Sequence, residues 1–230
     1  MPGASASDVY VCQDVADVEA LHPYLSGTEF KALPMSEQLD RQARTLYAAH
    51  CGGDRRVKTQ IVCWLPGAAR KSIDAVLAAP FTLDDARLTI AREYGFKDWA
   101  AVLETGDRVP EMRFEEAVDA LIAGNLARLS QMLDADPGLV HARSPYGHRA
   151  TLLHYIGANG VETHRQKTPL NAVEIARLLI ERGADVDAEA DMYRGGQTTL
   201  HLVETSAHPA AAGVAEPLAA LLKSAGNNRR

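Results

Sequence analysis

The chain has 230 residues, of which 47% are apolar, 23% charged and 6% aromatic, and its formal net charge is −6. That length suits one compact domain or two small ones. The acidic balance argues against duplex nucleic acid and against an anionic membrane surface as partners, because each calls for a basic face.

In chain order, residues 1–7 are small and polar, with no basic start followed by an apolar run, so they read as a frayed end. Cys12, Cys51 and Cys63 are odd in number and far apart. They read as free thiols in a reducing compartment, and the chain is expected in the cytoplasm. No apolar run approaches the roughly 18 residues that mark a bilayer-spanning helix. Ser36-Glu37-Gln38-Leu39 starts a helix that runs to His50, Gly52-Gly53 breaks it, and Lys58 to Trp64 is its return before a Pro66-Gly67 turn. The basic cluster around Arg55, Arg56 and Lys58 and the Arg229-Arg230 tail read as solvated charge. Phe81 to Trp99 reads as one amphipathic helix with a glycine stop. Thr82 is its expected N-cap, Asp84 and Asp85 fill its first turn, and Phe96 and Trp99 are expected to anchor on the elements that follow.

The second half repeats itself. Thr151-Leu152-Leu153-His154 returns as Thr198-Thr199-Leu200-His201, a shift of 47 residues from His154 to His201, and Tyr146 and Tyr193 keep the same offset. Each motif is followed by an apolar helical run, Val173 to Ile180 and Glu216 to Leu222. The runs close at Gly183 and Gly226. Upstream, Phe114 to Gly124 and Leu126 to Leu133 form a more worn pair. Leu153, Ile156, Val173, Ile175, Leu178 and Leu179 are the expected seam, each worth roughly 1.5–3 kcal/mol once buried. One such pair leaves an apolar stripe on both sides, so neighbours must stack. Lys223, Ser224, Asn227 and Asn228 supply the polar outer face of the last pair.

These motifs resemble the ankyrin repeat. Thr151 to Gly160 matches the family's T-P-L-H-x-A-A-x-x-G opening, with Leu152 where proline is usual, and Val173 to Ala188 matches its second helix and exit turn. The resemblance implies an all-α fold: an ankyrin-type helical repeat solenoid of about three repeats over 113–228. Residues 8–110 become an N-terminal helical extension or decayed repeats, since Gln42 to Gly52 keeps an A-A-x-x-G shape. The resemblance gives Thr151, His154, Thr198 and His201 a structural role in the opening turns, with the two histidines in equivalent places. It implies a binding module, and a protein as its partner.

The spacing departs from the usual repeat of about 33 residues. The excess lies in loops 161–171 and 189–197, with a smaller insert at 207–213, and loops are where function concentrates. With 144–149 they hold the candidate contacts Tyr146, His148, Arg149, Tyr155, Asn159, Arg165, Tyr193 and Arg194. A second reading has these loops close over the groove to make a small-molecule or enzyme site. Glu162, His164, His148 and His208 would then be its acid–base groups, beside Arg165 as an anion ligand. A bland reading also stands, in which the loops have drifted and their charges are solvated. No phosphate loop, dinucleotide fingerprint, nucleophile elbow or metal motif occurs, so neither cofactor nor metal is expected.

Overall fold

In the computed structural model of the protein, the residues described are 8–193 and 195–227. They are mostly helical. They form two compact units, Gln13–Pro110 and a second made of residues 8–12 with 111–227. Among the described residues no helix is long and apolar enough to cross a membrane. Residues 1–7, Arg194 and 228–230 lie outside the described residues, and with them the readings made for those positions, the Arg229-Arg230 tail included.

The Gln13–Pro110 unit runs through α1 (Gln13–Leu21), α2 (Thr28–Lys31), α3 (Met35–Cys51), α4 (Lys58–Trp64), α5 (Ile73–Ala78), α6 (Leu83–Glu93) and α7 (Trp99–Leu103). Met35, Leu39, Ala43 and Leu46 recur at three- and four-residue steps on α3 and are buried, as are Ala86 and Ile90 on α6. These stripes explain why α3 packs along α6. Thr82 caps α6 reciprocally. Its hydroxyl accepts the Asp85 N–H at 3.1 Å, while the Asp85 carboxylate accepts the Thr82 N–H at 2.8 Å.

The single helix expected through Trp99 is in fact two. Gly95, at φ +79°, ends the first. Asp98 then starts α7 by accepting the Ala101 N–H at 3.0 Å. Trp99 packs inside this unit, where the Arg87 guanidinium sits 5.4 Å from its ring centroid.

The second unit contains α8 (Met112–Ile122), α9 (Leu126–Ala135), α10 (Leu152–Tyr155), α11 (Ala172–Glu181), α12 (Thr199–Thr205), α13 (Ala207–Ala211) and α14 (Ala215–Asn227). α8 pairs with α9, α10 with α11 and α12 with α14. Neighbouring pairs stack in register, α8 on α10 on α12 along one side and α9 on α11 on α14 along the other. Leu153, Ile156, Ile175 and Leu179 are buried in the seam, as expected, while Val173 and Leu178 are half-buried at its rim. Ala172 and Ala176 take the inner places on α11. Gly157 shows how close the layers come, since a Cβ there would lie 2.7 Å from the Leu202 Cβ.

Three expectations change. Residues 8–12 belong to this unit, because β1 (Val9–Tyr10) pairs antiparallel with β2 (Thr168–Pro169) and the Leu170 N–H donates to the Asp8 carbonyl at 2.8 Å. His154 and His201 share a backbone position but not an environment. The His154 Nδ1 accepts the Thr151 N–H at 3.1 Å, and its Nε2 reaches the Ala188 and Gln197 carbonyls at 3.1 and 3.2 Å. Those carbonyls belong to the finger that follows. Among the described residues the His201 ring meets no such carbonyls, and it is exposed. The 207–213 insert is also more regular than a loop, since Ser206 caps the short helix α13.

Candidate functional site

The finger loops lie side by side. In the first, the Ser144 N–H donates to the Ala150 carbonyl at 2.7 Å and closes the 144–150 turn. The second is a hairpin of β3 (Glu189–Ala190) and β4 (Gln197–Thr198). The Arg143 guanidinium donates to the Arg149 carbonyl at 2.9 Å and to the Glu189 carbonyl at 2.7 Å. Asp191 adds an N–H to the His148 carbonyl at 2.8 Å. Met192 then turns inward against Gly160, whose missing side chain makes the room, for a Cβ there would sit 2.5 Å from the Met192 sulfur. Tyr193 turns outward. It is 56% exposed, stands at φ +50°, and its hydroxyl donates to Asn159 Oδ1 at 2.5 Å.

Below the fingers lies a buried charged cluster. The 161–171 insert is folded inward, and a 3-10 turn over Thr163–Arg165 aims Glu162 and Arg165 at α8. The Arg165 Nη2 donates to Glu115 Oε2 at 2.6 Å and approaches Asp119 Oδ1 at 3.3 Å. Its Nη1 lies 3.5 Å from Glu162 Oε1. The Tyr155 hydroxyl donates to that same oxygen at 3.4 Å, and His148 Nε2 stands 3.6 Å from it. Tyr146, His148 and Tyr155 wall the cluster with edge-on and tilted rings. Glu115, His148, Tyr155, Glu162 and Arg165 are all buried.

The electrostatics follow from that packing. Burial works to raise the Glu162 pKa, but His148 and Arg165 overcome it and hold the group down at about 2. For Glu115 burial wins, with the like charge of Glu162 adding to it, and its pKa rises despite Arg165. Burial opposes the charge on Arg165, yet Glu115 and Glu162 more than offset it and keep the guanidinium protonated. The phenols of Tyr146 and Tyr155 are pushed far up by burial and stay neutral. The His148 tautomer is set by geometry: the Ala150 N–H donates to Nδ1 at 3.1 Å, so the ring proton sits on Nε2 and faces Glu162.

Of the candidate residues, the structure brings together Tyr146, His148, Tyr155, Glu162 and Arg165. They lie beneath the surface, so the contact surface expected of Tyr146, His148, Tyr155 and Arg165 is not exposed. His164 is half-buried and adds a smaller favourable charge at Glu162. His208 is half-buried on α13. Arg149 is exposed, Asn159 half-buried and Tyr193 exposed, all on the finger side. Thr151 and His154 form the strut described above, and Thr198 accepts the His201 N–H at 3.3 Å.

Glu115 and Asp119 were missed by sequence reasoning. The available signal was a carboxylate at Glu115 that shares a helix face with Val118 and Ile122, an apolar stripe where charge is out of place. Compared with known proteins, the chain matches no family model, no curated protein and no solved structure.

Proposed function

We propose that residues 111–227 form an ankyrin-type repeat module that binds a protein partner through its finger side. The Thr-x-x-His openings, the glycine-stopped second helices and the pairwise stacking of the helices support the ankyrin-type reading. Its protein-binding role is carried by Tyr193. A bulky residue at positive φ is strained, and strain persists where surroundings hold it for a use. Here the ring is held out in solvent and fixed by Asn159, so its contact area is ordered before any partner arrives. Arg149, exposed on the neighbouring finger loop, adds a charge with five donors. The three cysteines are free thiols, which supports a cytoplasmic setting.

Tyr193→Ala is the test. In affinity capture followed by a binding titration, the variant should weaken the captured partner by tenfold or more, as loss of an exposed aromatic anchor does. Its unfolding free energy should stay within about 0.5 kcal/mol of the parent. A partner held equally by Tyr193→Ala and Arg149→Ala would overturn the reading.

A second reading has one observation in its favour: the 161–171 insert is folded inward and unites His148, Glu162 and Arg165, the arrangement a small-molecule site needs. A thermal-shift screen of small acids and phosphates tests it. A stabilising hit that Glu162→Gln abolishes supports this reading over the first.

A further inference from the structure

Three buried side-chain atoms in the charged cluster have no hydrogen-bond partner in the protein: Glu115 Oε1, Glu162 Oε2 and His148 Nε2. Glu115 and Glu162 both contact the Arg165 guanidinium, and His148 Nε2 stands 3.6 Å from the other oxygen of Glu162. Buried polar atoms are nearly always satisfied, so each of these three calls for a partner. Their chemistry differs in a useful way. The two carboxylate oxygens only accept, whereas His148 Nε2 carries the ring proton, because Nδ1 already accepts the Ala150 N–H.

We propose that this cluster binds one water molecule, which donates to Glu115 Oε1 and Glu162 Oε2 and accepts from His148 Nε2. Water has two donors and an accepting oxygen, the complement of what the three atoms lack. Buried waters typically make about three such bonds to otherwise unsatisfied groups. A metal ion fits worse, because it needs a lone pair on His148 Nε2 where the proton sits. An anion fits worse, because two carboxylates already face the space. The water completes the attachment of the 161–167 turn to α8, so the loop is held by an ion pair and a bridging water together. The inference stands apart from the protein-binding reading, since it concerns how the loop is held and not what the fingers meet, and it competes with the small-molecule reading for the same cluster.

A crystal structure of the full chain at high resolution tests it. The expected result is a peak about 2.7–3.2 Å from all three atoms. A cluster without such a peak, with the His148 Nε2 closed directly onto Glu162, would overturn the proposal. In solution, the His148 Nε2 proton should show a cross-relaxation peak to water with the sign of a long-resident molecule. A slowly exchanging Nε2 proton with no such peak would count equally against it.

Discussion

The two units bury polar groups in different ways. In Gln13–Pro110 a relay does it: His22 Nε2 donates to Gln60 Oε1 at 2.9 Å, and Gln60 Nε2 donates to Glu93 Oε2 at 2.6 Å. Each link is short and each side chain is buried. In the second unit opposite full charges are paired inside, with Arg165 between Glu115 and Glu162 and three atoms left without a protein partner. An amide relay asks little of its surroundings, because a glutamine matches a donor and an acceptor at once. A buried ion pair is sensitive, because loss of one member strands the other in a medium that solvates it poorly.

The comparison predicts unequal responses. Arg165→Met should have the largest effect, leaving Glu115 and Glu162 facing each other. We expect a loss of about 3–5 kcal/mol in the far-UV circular dichroism unfolding of the full chain. A loss under 1 kcal/mol would mean that the ion pair holds nothing.

Acid comes next. His154 and His22 both have pKa values lowered from 6.5 to about 4, chiefly by burial. A lowered histidine pKa favours the neutral folded form. Its stabilisation is therefore whole above pH 6.5 and is lost as pH falls toward 4, by about 3 kcal/mol per histidine. Glu162 extends the loss in the second unit. Its folded pKa of about 2 lies below the ordinary 4.5, so its contribution is present above pH 4.5 and fades toward 2. Glu115 acts in the opposite sense, since its raised pKa favours the protonated folded form at low pH. Urea titrations at pH 7, 5.5 and 4 should show falling midpoints, and midpoints flat across that range would contradict the buried neutral histidines.

Gln60→Leu is the milder cut, since it removes an uncharged link. It should cost about 1–3 kcal/mol, the penalty of leaving buried groups unbonded. Trp64 and Trp99, the two tryptophans of the chain, both lie in this unit, so tryptophan fluorescence reports its unfolding. A loss as large as that of Arg165→Met would erase the distinction between the relay and the ion pair.

The helix pairs were legible because their signals are local. Val173 to Ile180 shows a 3.6-residue period and a glycine stop, and it lies within α11. Thr82 and Asp85 sit three residues apart, and that spacing alone makes a capping box. What failed to show was long-range. Val9 and Tyr10 carry no sign that they pair with Thr168 and Pro169. Glu115 reads as an edge charge until Arg165, fifty residues on, arrives at it. His201 copies the motif of His154, yet its ring is exposed where that of His154 is buried against the Ala188 and Gln197 carbonyls, so identical letters met different surroundings. The short sequence Phe96-Lys97-Asp98 hid a helix break, because Asp98 is as good a cap as it is a surface charge.

The central claim is that the 161–171 insert is folded in and locked while the tip of the 189–197 finger is presented outward. Amide hydrogen exchange on the full chain measures both at once. The amides of Arg165, Gln166 and Leu170 donate to the carbonyls of Glu162, Thr163 and Asp8, so they should exchange orders of magnitude more slowly than those of Tyr193 and Gly196. Arg165, Gln166 and Leu170 exchanging as fast as the finger tip would contradict it.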